Sequence, residues 1–110
     1  MVGLWRMSVT IGEAVNLADE SYTIAPHACK HGKEGEIALA YLTTGPHPKV
    51  KCTGEDGRTR IWTQISDNRY ALCVTNPSNG DLFSLFCPNA AYIDRMTQDL
   101  IRCGGGLSPA

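Results

Sequence analysis

His27, Cys29 and His31 carry the one spacing in this 110-residue chain that suggests metal chemistry. In an extended backbone the i, i+2 and i+4 side chains project from one face, so two imidazoles and a thiolate would converge on a cation such as zinc. A closed zinc site needs a fourth ligand, for which His47 and Cys52 are the near candidates, while Lys30 and Lys33 place positive charge beside the cation. A solvated loop with incidental histidines explains the same residues. A small metal-binding or metal-dependent protein therefore stands as an alternative reading, and the main reading needs no cofactor.

The second group with chemical potential is basic and aromatic. Lys49, Lys51, Arg58, Arg60 and Arg69 are half of the ten Lys and Arg, opposed in the same stretch by Glu55, Asp56 and Asp67. Arg58, Arg60, Trp62 and Gln64 share one parity along a strand and point to one side, whereas Ile61, Thr63 and Ile65 point to the other. If helices cover the Ile61 side, a face of Lys51, Arg58, Arg60, Trp62 and Gln64 is left for a partner. Trp and Arg are the residues most enriched at protein-binding hot spots, and an Arg-flanked Trp can also stack on an exposed base. The formal charge of −1 and pI near 6.3 favour a protein partner over single-stranded nucleic acid.

Enzymatic motifs are missing. There is no P-loop, no dinucleotide fingerprint, no His-Glu-x-x-His and no Gly-x-Ser-x-Gly. The five cysteines are an odd number, irregularly spaced and without Cys-x-x-Cys, as expected of free, mostly buried thiols in a reducing compartment. The Gly104-Gly105-Gly106 run follows a helix, whereas a phosphate cradle precedes one.

The elements that must position these residues centre on Arg58 to Cys87. Arg58–Ile65 and Tyr70–Thr75 are rich in β-branched and aromatic residues, with Ser66–Arg69 as their turn, and Leu82–Cys87 follows the turn-forming Asn76–Asp81. Lys49–Thr53 predicts a short edge strand, and Glu36–Thr43, apolar on both sides, a further strand. Thr10-Ile11-Gly12-Glu13 fits a capping box, with Ile11, Ala14, Val15 and Ala18 as the apolar stripe of a first helix of about 10 residues. Asn89 is the expected N-cap of a last helix, Ala90 to Arg102 or Cys103, ended by Gly104.

The expected fold is therefore α+β: a single antiparallel sheet of about five strands, a meander, with an N-terminal and a C-terminal helix packed on one face. Residues 1–103 form one domain and 104–110 a flexible Gly-rich tail. Hydrophobic residues at 43% and charged residues at 19% are ordinary for a globular chain. With no apolar leader and no membrane-spanning run, a cytoplasmic protein is expected, and Met7 is an alternative start. The functional expectation is a small non-catalytic interaction protein (an inhibitor, adaptor or assembly component) binding a protein partner through an exposed sheet face, with homo-oligomerisation open.

Overall fold

The structure, a computed structural model, describes residues 14–17, 20–25, 32–76, 78–104 and 106–109. In chain order the elements are β1 (Ala14–Leu17), β2 (Glu20–Ile24), α1 (Lys33–Thr44), β3 (Lys49–Thr53), β4 (Thr59–Ser66), β5 (Arg69–Thr75), β6 (Asp81–Phe86), α2 (Ala90–Arg102) and β7 (Gly106–Pro109). The fold is α+β, with one sheet and two helices.

The meander forms where turn chemistry and β-propensity agree. Asp67 and Asn68 close a tight turn between the paired Ser66 and Arg69. After β5, the Asn76 amide donates to the Asp81 carbonyl at 2.8 Å, and Gly80 takes a φ of 73°, a conformation glycine adopts without a side-chain clash. Between β3 and β4, the Gly54 amide donates to the Arg58 carbonyl and Asp56 Oδ1 accepts from the Arg58 amide, both at 3.0 Å.

The sheet has seven strands in the order β1-β2-β6-β5-β4-β3-β7, rather than about five. It is also mixed. β2 runs parallel to β6 through two pairs, Thr23 with Asp81 and Ile24 with Leu82. Short loops exclude parallel pairing only between consecutive strands, and this pair brackets α1 and three strands. Residues 106–109, expected as a tail, add β7 to β3, from Thr53 with Gly106 to Val50 with Pro109.

Two segments differ in type from expectation. Ala14–Leu17 is a strand, not part of a helix: Val15 is half-buried and Leu17 buried, while Ala14 and Asn16 are exposed, a two-residue period that the helical stripe obscured. The Thr10 to Glu13 capping box lies outside the described residues. Glu36–Thr43 lies in α1, not in a strand. Gly35, Ala38, Leu39, Ala40 and Leu42 are buried around much of its circumference because α1 is enclosed, packing on β4, β5 and β6 beneath and touching β1 on another side. The Glu34 carboxylate accepts from the Cys87 amide at 3.0 Å and ties the start of α1 to the end of β6.

Each helix owns a core, and the helices lie on opposite faces rather than one. Leu39 and Leu42 pack with Ile61, Cys73 and Leu85, joined by Leu17, Tyr22 and Ile24 from the β1–β2 hairpin. Ile93 and Leu100 of α2 pack with Cys52, Trp62 and Leu72. Alternation along β4 and β5 sends consecutive residues into different cores. The hairpin curls over the α1 side, where Glu20 reaches Lys51 of β3 at 3.4 Å although β6, β5 and β4 separate their strands in the sheet. The Tyr22 hydroxyl, 2.5 Å from Glu20 Oε2, and then the Lys51 charge hold the Glu20 carboxyl below its usual range.

Candidate functional site

α2 begins at Asn89, whose Oδ1 accepts from the Tyr92 amide at 2.9 Å, and Asn68 Oδ1 from the β4–β5 turn accepts from the Ala90 amide at 3.2 Å. At its other end Gly104, with φ 89°, lets the chain leave for β7. Only Ile93 and Leu100 of the helix are buried, so it rests on the sheet by a narrow stripe and a cleft of about 580 Å³ opens along one flank.

The helix wall of the cleft is Tyr92, Arg95, Met96, Asp99, Leu100 and Cys103. These recur at three- and four-residue steps, one side of a helix over about 16 Å at 1.5 Å per residue. The opposite wall is the β3–β4 turn, Gly54, Glu55 and Asp56, together with Arg60 of β4. Tyr92 is braced edge-on against Phe86, with ring centroids 5.5 Å apart.

Arg60 is the most constrained charge of this site. Its side chain is 18% exposed, and Nη2 donates to Asp56 Oδ2 at 3.3 Å. Nη1 is fully buried and has no acceptor among the described residues. Burial opposes ionisation of Asp56, but hydrogen bonds from Arg60 and the Arg58 amide, with both positive charges, outweigh it and hold the carboxyl below its usual range. Gly54 leaves room for this packing: a Cβ there would lie 3.0 Å from Arg60 Nη1 and 3.1 Å from Leu100 Cδ2.

The expected partner-binding residues are distributed rather than gathered on one open face. Trp62 is 5% exposed and belongs to the core under α2, so it is not on a helix-free surface. Trp62 and Gln64 line a smaller hollow of about 310 Å³ with His47 and Tyr70. Lys51 pairs in register with Ile61 and so faces the α1 side, where it meets Glu20. Arg58 sits 5.2 Å over the Phe83 ring and 4.0 Å from Asp56. Of the five, Arg60 alone lines the larger cleft. His27, Cys29 and His31 lie outside the described residues; of the near fourth ligands, His47 is exposed and Cys52 is buried under α2.

Burial pushes the Cys52 and Cys87 thiols up and raises Cys73 to about 12, so these three stay protonated and act as small core hydrophobes. The residues that sequence reasoning missed are on α2. Tyr92, Arg95 and Met96 fall within the last helix expected from the sequence, and nothing in the sequence sets them apart from its other residues until the β3–β4 turn stands opposite them. Comparison with protein-family models, curated proteins and solved structures finds no match to this chain.

Proposed function

We propose that the protein is a small non-catalytic interaction protein and that it grips a segment of a protein partner in the cleft beside α2. The observation that carries this reading is the composition of that cleft: Tyr92, Met96 and Leu100 supply apolar surface in the same lining as the arginines Arg60 and Arg95. Aromatic and arginine side chains flanking an apolar floor are the arrangement that concentrates binding energy at protein interfaces. Its long, open form also suits a chain segment better than an enclosed small molecule, because Tyr92, Arg95, Asp99 and Cys103 along the helix wall are all exposed.

Nucleic acid fits less well. The basic cluster divides between two faces, with Lys51 at Glu20 on one, and Arg58 and Arg60 at Asp56 on the other. A backbone-tracking groove needs unneutralised charge along one surface. The three buried thiols, held protonated, supply no nucleophile at neutral pH.

Selection of displayed peptides against the folded full chain tests the proposal. Selected peptides should shift amide resonances of Gly54 to Asp56 and of Tyr92 to Leu100, and Tyr92→Ala should weaken them by about tenfold, as loss of one interface anchor does. Peptides that bind with equal affinity to Tyr92→Ala, or that shift resonances elsewhere, would refute it.

A further inference from the structure

The group that this cleft recognises can be argued from Arg60. A guanidinium has five N–H donors in a planar fork. The Arg60 fork gives one hydrogen bond, to Asp56 at 3.3 Å, longer than the usual charge-assisted bond, and its Nη1 is buried without an acceptor among the described residues. Buried donors of charged groups are seldom left unsatisfied, because the desolvation cost is then uncompensated. Across the cleft, Arg95 is exposed and has no ion-pair partner among the described residues. Two of the carboxylates nearby are already engaged, Asp56 by Arg58 and Arg60, and Asp99 by Arg102 at 3.1 Å, which leaves Glu55 as the acid of the lining without an ion pair among the described residues.

Resting on the protein-binding reading above, we propose that the cleft captures the C-terminal carboxylate of a partner chain, held between Arg60 and Arg95, with the partner's last apolar side chain against Tyr92 and Met96. Three features select this source of negative charge. The acceptor sought is recessed: Nη1 is buried, and a Cβ on Gly54 would come within 3.0 Å of it, so an anion that enters end-first can draw the guanidinium from its single long bond into a bidentate one. A chain terminus enters end-first with no continuing backbone to crowd the β3–β4 turn. Glu55, and the carboxylates of Asp56 and Asp99 beside their arginines, oppose a dianion more strongly than a monoanion, so a singly charged carboxylate suits the site better than a phosphate. The apolar helix wall next to both arginines completes the complement of an apolar terminal residue.

The test uses the full chain, labelled with nitrogen-15, and four probes: N-acetyl-leucine, N-acetyl-leucinamide, N-acetyl-glutamate α-amide and inorganic phosphate. N-acetyl-leucine should shift the amides of Gly54, Glu55, Asp56, Met96 and Leu100 in a saturable way, and the leucinamide should bind about tenfold more weakly for want of the charge-assisted bonds. Arg95→Gln should weaken N-acetyl-leucine by a similar factor with an unchanged amide spectrum elsewhere, and Arg60→Lys provides the same comparison with the buried charge kept. Equal binding of the amide, tighter binding of the glutamate α-amide or of phosphate, or no shift in the cleft with any probe would overturn the proposal. If selected peptides occupy the cleft and amidation of their C-termini changes nothing, this inference falls while the protein-binding reading stands. If no peptide occupies the cleft, both fall.

Discussion

Ile61 and Trp62 are neighbours on β4 and belong to different cores, Ile61 packed with α1 and Trp62 with α2. Truncation of either therefore opens a cavity. Ile61→Ala is expected to cost about 2–5 kcal/mol and Trp62→Ala about 3–5 kcal/mol of unfolding free energy. Urea titration followed by circular dichroism measures both, and a Trp62→Ala loss below about 1 kcal/mol would show that the ring is not packed as described.

Gly45 ends α1 with its amide donating to the Tyr41 carbonyl at 3.0 Å, and a Cβ at that position would collide with the same oxygen. Gly45→Ala must shift backbone rather than a pliant side chain. The expected loss is about 1–3 kcal/mol, the range of overpacking in a well-filled site. Gly80→Ala has open space around the added methyl but keeps the positive φ, so it should cost less, and a melting comparison of the two checks the order.

Asn89 caps a helix that is anchored by few side chains. Asn89→Ala removes the acceptor for the Tyr92 amide and should cost about 1 kcal/mol. Because only Ile93 and Leu100 of α2 are buried, the loss should appear as faster hydrogen exchange in α2, with exchange in β4 and β5 little changed. Uniform acceleration throughout the chain would mean that α2 opens only with the whole fold.

Stability should decline as the solution becomes alkaline. The Cys73 thiol is raised by burial from 9.0 to about 12, so above pH 9 the unfolded chain loses this proton and the folded chain retains it. The contribution is complete below pH 9 and is lost progressively towards pH 12. Tyr22 acts in the same direction from pH 10.0 upward, since burial and then the Glu20 carboxylate raise its hydroxyl. Chemical unfolding at stepped pH should show this decline, with a shallower slope in Cys73→Ala; equal slopes would contradict the assignment.

The meander and the last helix were legible because their local signals and tertiary surroundings agree. The strand expected at 49–53 is β3, and the helix expected from Ala90 behind the Asn89 cap is α2. The other departures have tertiary causes. α1 is apolar around much of its circumference because sheet and hairpin enclose it, and periodicity cannot separate such a helix from a doubly buried strand. β7 exists because β3 offers it an edge, which a Gly-rich tail does not announce. Trp62 and Arg60 share a parity, yet one fills the core under α2 while the other turns towards Asp56, and the position of α2 decides which of them lines the larger cleft.

The two-pair seam between β2 and β6 has a kinetic consequence. It joins the second strand to the sixth, so forming it closes a long loop that holds α1 and β3 to β5, and this contact is expected to form after the local hairpins of the meander. Such long-range pairing carries a loop-closure cost, so folding is expected to be slower than its two helices alone would suggest. In a stopped-flow experiment, mutations in β1 and β2 should act mainly by speeding unfolding, whereas mutations at the β4–β5 interface should slow folding.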